Sequence, residues 1–170
     1  MKNAIKILGI SLLLMCATGQ AYSQKCKYDY QKEDKITGET TKGSTFSIKM
    51  WWKLGLNKNG NQYFIGMWIR INGNIRDVIT PENTIIFKLE NGEIITINAN
   101  EDYFPSAQTD QYGVYSDFNA RFSISEEDMK KLAASPLVYV KVGVGARVYD
   151  ESFATKKGRT FQNLAKCMLQ

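Results

Sequence analysis

The chain carries 17 carboxylates and no histidine, and that pairing bounds its chemistry. Without an imidazole there is no Ser-His-Asp or Cys-His activation of a nucleophile, no two-His zinc site and no His proton shuttle. The acid–base chemistry that remains belongs to carboxylates, and a glycoside hydrolase needs two of them flanking one bond. Acids fall most densely at Asn98-Ala99-Asn100-Glu101-Asp102, with Asp110 nearby; Asp117 on the following strand is the conceivable partner of Glu101 or Asp102. Acids in a loop are ordinarily solvated, so the plain reading of this run is a solvated loop. Asn98, Asn100 and Asp102 offer the oxygen chemistry of a calcium site but lack the ordered Asp-x-Asp-x-Asp-Gly loop. No Gly-rich phosphate loop follows a strand, and no Gly-x-Ser-x-Gly elbow occurs. No catalytic residue, metal or cofactor is therefore expected.

Aromatic residues carry the better functional signal. Trp51 alternates with Thr45, Ser47, Lys49 and Lys53 on the polar side of a strand pattern, Tyr103 and Phe104 sit in a long loop, and Tyr115 reads as outward on its strand. A solvent-facing Trp among polar neighbours suits sugar stacking or a protein interface, because it offers large apolar area with a polar N–H. Trp51, Tyr103 and Tyr115 are accordingly the candidate ligand-binding residues. A covering helix or loop would instead make Trp51 part of the core. Trp52 and Trp68 lie in runs that read as buried and need no function.

The N-terminus has the form of an export signal. Lys2 and Lys6 precede an apolar run, Ile7 to Ala17, and Ala21-Tyr22-Ser23 supplies small residues before Gln24. As a helix that run rises only about 16 Å, roughly half the hydrocarbon thickness of a bilayer. The expected organisation is a signal peptide at 1–23 and one α+β domain at 24–170, exported to the periplasm or beyond. Cys16 as a lipid-anchored residue is the lesser alternative, since the bulky Met15 stands where lipoprotein processing wants a small side chain. No later run approaches the ~18 apolar residues of a membrane span. Loss of Lys2 and Lys6 lowers the net charge from +5, leaving a nearly balanced chain. Lys156-Lys157-Gly158-Arg159 is the one dense basic stretch and reads as the solvated first turn of the last helix, so no nucleic-acid partner is expected. Beyond Cys16 the only cysteines are Cys26 and Cys167, and two thiols in an exported chain most simply form one disulfide.

Period-2 alternation dominates the chain between these ends. Phe46, Ile48, Met50, Trp52, Leu54 and Leu56 share one face of an expected strand, and Asn57 to Asn61 make a turn. Tyr63 to Ile69 returns apolar on both faces, as a central strand would. Ile75 to Ile79 follows, then Ile85 to Leu89 and Ile94 to Ile97 around the hairpin signal Asn91-Gly92. Ala99 to Gln111 reads as loop. A long strand runs from Val114 to Ile124, and Ser125 can cap a short helix through the Asp128 amide. Val138 to Val144 is strongly β-forming, Gly143 and Gly145 suggest a bend before Arg147-Val148-Tyr149, and Thr155 to Met168 has helical spacing. The fold class is α+β: a mostly antiparallel, curled sheet of about eight strands, one short helix, and a C-terminal helix packed on the sheet.

The start of the mature chain, Cys26 with Tyr28 and Tyr30 and then Asp34-Lys35-Ile36-Thr37-Gly38-Glu39, resembles small exported proteins common in Bacteroidetes. Leu89-Glu90-Asn91-Gly92-Glu93, Ile124-Ser125-Glu126-Glu127, Leu132 to Leu137 and the closing helix with Cys167 are similar too. The resemblance implies a cell-envelope domain with its terminal cysteines paired, and it brings no reaction. The functional expectation is a non-catalytic envelope module binding a glycan, a peptide or a partner protein, with a small carboxylate-dependent glycoside hydrolase as the alternative.

Overall fold

A computed structural model describes residues 26–170. The expected signal peptide and Cys16 lie outside the described residues. Strands β1 (Tyr30–Glu33), β2 (Thr40–Lys49), β3 (Trp52–Asn59), β4 (Gln62–Asn72), β5 (Thr84–Leu89), β6 (Ile94–Asn98), β7 (Ser106–Asp110) and β8 (Gly113–Ile124) come first. Helix α1 (Glu126–Ala134), β9 (Leu137–Val144), β10 (Arg147–Ser152) and helix α2 (Thr155–Leu169) follow. Among the described residues no helix is long and apolar enough to cross a membrane.

The mostly antiparallel α+β architecture is as expected, but the strand count is not. Ten strands form two sheets, a curled six-stranded one in the order β1-β2-β3-β4-β8-β7 and a four-stranded one in the order β10-β9-β5-β6. Four local differences explain the discrepancy. The alternation from Phe46 to Leu56 belongs to two strands, not one, joined by a turn at Met50 and Trp51. Phe46 pairs with Leu54, and a bulge lies between Ser47 and Lys49. An odd number of residues separates the paired positions, so even-numbered side chains point inward on both arms and alternation cannot tell a hairpin from one long strand. β7 falls inside the expected loop: it is an edge strand with every residue exposed, so no apolar periodicity announces it. β1, wholly exposed on the opposite edge, is hidden for the same reason. Finally, Ile75 to Ile79 is irregular, with a single β-bridge from Ile79 to Tyr103 and side-chain ties from Ile75 to Ser116 of β8 and from Asp77 to Arg147 of β10.

Helix α2 sits against both sheets. Phe161 meets Phe46 of β2 edge-on at 5.1 Å and stacks on Phe87 of β5 at 5.7 Å. Its backbone comes so close to β9 that a Cβ at Gly158 would overlap the Leu137 carbonyl oxygen. The basic stretch around Gly158 is indeed the first turn of this helix, and Lys157 folds back to donate to the Ile48 carbonyl at 2.5 Å. Helix α1 begins as expected, with the Ser125 hydroxyl accepting the Asp128 amide at 3.0 Å.

Cys26 and Cys167 form a disulfide with Cα atoms 5.5 Å apart across 141 residues of chain. Cys26 precedes β1 and is not itself in a strand. The joint is supported by Lys42, which is only 6% exposed. Its ammonium donates to the Cys167 carbonyl at 3.1 Å and to the Tyr28 hydroxyl at 3.2 Å, and Tyr28 donates to the same carbonyl at 2.9 Å. A cation at the carbonyl end of α2 meets the negative pole of the helix and satisfies a carbonyl the helix cannot pair internally.

Candidate binding site

The tip of the β2–β3 turn places Trp51. Its carbonyl accepts the Arg70 amide at 2.8 Å, which ties the tip to β4. Its ring stacks on Trp52, with centroids 6.4 Å apart, and the Lys49 ammonium lies 5.3 Å from its centroid. Lys49 also pairs with Glu151 at 2.6 Å, and this ion pair draws β10 of the second sheet up to the turn. A cavity of about 450 Å³ opens between these elements, walled by Trp51, Arg70, Ile71, Tyr115 and Tyr149, with Met50 at the lip. Met50 is 90% exposed, because it occupies the turn position that alternation had assigned inward.

Charge in the wall is neutralised. Arg70 grips both oxygens of Asp117, at 2.7 Å and 2.8 Å. The hydrogen bonds to Asp117 raise the Arg70 pKa further above its ordinary value. The guanidinium also stacks 4.3 Å from the Tyr115 ring, which leaves Tyr115 9% exposed: outward from the core, as expected, yet mostly covered. Burial pushes the Tyr149 phenol up. The cavity is therefore aromatic, weakly polar and without a free charge.

Of the three sequence candidates, Trp51 and Tyr115 meet in this cavity and Tyr103 does not. Tyr103 bridges to Ile79 and donates its hydroxyl to the Arg121 carbonyl at 3.1 Å; burial raises its pKa as well. Its role is to fasten a loop. The proposed acid pairing also loses its partner, because Asp117 is held by Arg70 while Glu101 and Asp102 stand exposed in the loop. Asn98 and Asn100 are likewise engaged with backbone, through Pro81 and Ser123. No group of three or more metal-ligating side chains occurs among the described residues.

Met50, Arg70 and Tyr149 escaped the sequence reading. Arg70 had a signal: it continues Phe64, Gly66 and Trp68 along a single face of β4, a face less apolar than its opposite. Trp68 itself is half-buried on that outward face rather than in the core, so the reading of its run as buried on both sides is corrected. Tyr149 had none, since only the packing of the second sheet brings it to the turn. No family model, curated protein or solved structure matches the chain.

Proposed function

We propose that this is a non-catalytic, exported cell-envelope module that grips an apolar side chain of a peptide or partner protein in the cavity of Trp51, Tyr115 and Tyr149. The cavity carries the reading. Its volume accommodates a leucine-sized or aromatic side chain, its walls are rigid aromatics held by the Arg70–Asp117 fork, and an exposed Met at the lip can repack around different occupants. Absence of a free charge in the wall favours an apolar anchor over an ionic one. The Cys26–Cys167 bond supports an oxidising compartment. The hydrolase alternative is disfavoured by the engagement of Asp117, the acid it would need beside Glu101 or Asp102.

A displayed random-peptide library panned against the mature protein tests this. Selected peptides should share one bulky apolar residue, and their binding should be lost on Trp51→Ala. Peptides that bind Trp51→Ala as well as the parent would refute the assignment. Turnover of a polysaccharide that disappears in Glu101→Gln or Asp117→Asn would establish the hydrolase instead.

A further inference from the structure

We infer that the outer face of the six-stranded sheet, beside the Trp51 cavity, binds a glycan of carboxylate-bearing sugar rings. Cross-strand register lays Tyr30, Gly43, Asn57 and Phe64 in one row across β1 to β4. The adjacent row is Thr45, Gly55, Gly66 and Arg121. Gly55 and Gly66 face each other and form a side-chain-free floor that the Asn57 amide fills: a Cβ at either would lie 3.2 Å or 3.3 Å from Asn57 Nδ2. Asn57 turns its amide over this floor: Nδ2 donates to the Gly55 carbonyl at 3.1 Å and Oδ1 accepts the Tyr30 hydroxyl at 2.8 Å. The amide is thereby fixed in orientation, with its second N–H free of protein acceptors among the described residues.

Two hollows meet at Gly66, of about 410 Å³ and 340 Å³. Each has an aromatic ring in its wall with a cation lying over the ring. In the first, the Arg121 guanidinium lies 3.4 Å from the Phe64 centroid; in the second, the Lys53 ammonium lies 5.3 Å from that of Trp68. Among the described residues neither cation has a carboxylate partner, in contrast to Arg70 on the same face. Phe64 and Trp68 are four residues apart on one extended strand, roughly 13 Å.

The chemistry that fits is a chain of several linked units, hydroxyls that can meet the fixed Asn57 amide, and carboxylates that can reach the cation stacked on each aromatic ring. A uronic-acid oligosaccharide has all three. An extended peptide would gain little here, because the backbone groups of β3 and β4 are already paired on both sides and offer no strand-addition edge. Charge separates these hollows from the neutral cavity beside them, whose wall residue Arg70 also stacks 5.5 Å from the Trp68 centroid and is itself neutralised by Asp117.

Titration with a defined oligogalacturonate, followed by calorimetry and by amide shifts, tests the inference on the mature protein. Saturable binding with shifts at Gly55 and Gly66 is expected. Arg121→Gln and Lys53→Gln, both outward-facing and dispensable to the core, should each weaken it about 10- to 100-fold, the loss of one charge-assisted hydrogen bond. The methyl-esterified oligomer should bind as poorly, and Trp51→Ala should bind like the parent. Equal affinity for the ester, indifference to both Gln substitutions, shifts confined to the Trp51 cavity, or preference for an acidic peptide would each overturn it.

Discussion

Strands β3 and β4 present two faces of nearly equal aromatic content and opposite fate. Inward, Trp52, Leu54, Leu56, Ile65 and Ile69 are fully enclosed under the second sheet and α2. Outward, Lys53 is exposed and Gly55, Phe64, Gly66, Trp68 and Arg70 are only partly buried, and cations lie against the rings. The two neighbouring tryptophans condense the difference. Trp52 is so completely enclosed that its indole N–H finds no acceptor, a cost that packing must outweigh. Trp51, one residue earlier, keeps part of its ring in an open cavity. An aromatic side chain marks large area to be covered; what covers it, protein or ligand, is settled by the rest of the fold.

The largest test of this contrast is truncation on each face. Trp52→Ala should cost about 3–5 kcal/mol in urea unfolding, through lost burial and a residual cavity. Trp68→Ala should cost under about 1 kcal/mol by the same measurement, as surface substitutions do. If the two losses were equal, the outer face would be covered, for instance by self-association, and the contrast would collapse. Next in size is the Cys26–Cys167 bond, which holds α2 over the inward face. Cys26→Ser with Cys167→Ser should lose about 2–4 kcal/mol, with loop-closure entropy over so long a loop as the upper bound. Non-reducing mass spectrometry of the parent should show no free thiol in the described chain.

A smaller effect attends the α1 terminus: Ser125→Ala should cost about 1 kcal/mol by removing an N-cap, again read by unfolding. The smallest concerns Asp34, in the turn before β2. Its carboxylate accepts the backbone amides of Thr37 and Ile36, at 2.9 Å and 2.8 Å, and they hold its pKa below the ordinary value. A carboxylate with a depressed folded-state pKa stabilises fully above its unfolded value, about 3.9, and that contribution fades as pH falls through the folded value. The unfolding midpoint of the parent should therefore drop below about pH 4 more steeply than that of Asp34→Asn. Parallel pH profiles would remove Asp34 from the account without touching the two faces.

Legibility in the sequence followed the same division. Inward residues were readable because burial demands apolar side chains at period 2 or 3.6, as in Phe118, Phe122, Leu132 and Phe161. The cap at Ser125 and the turn at Asn91-Gly92 were readable because their chemistry is local. The edge strands β1 and β7 were not, since all their residues are exposed and exposed side chains carry no period. Of the candidate site, Trp51 and Tyr115 were found as outward positions in strand patterns, whereas Tyr103, taken from a long loop, turned out to fasten it.

Local rules and residue counts thus settled the antiparallel α+β class, both helices, the pairing of Cys26 with Cys167 and the absence of histidine chemistry. Tertiary structure alone decided that an unbroken alternation folds into a hairpin at Met50 and Trp51, because parity survives the turn. It alone carried Tyr149 to Trp51 and set Arg121 on Phe64 while Arg70 took Asp117. Such contacts join residues far apart in the chain, and no periodicity records which distant side chain will arrive to cover a given face.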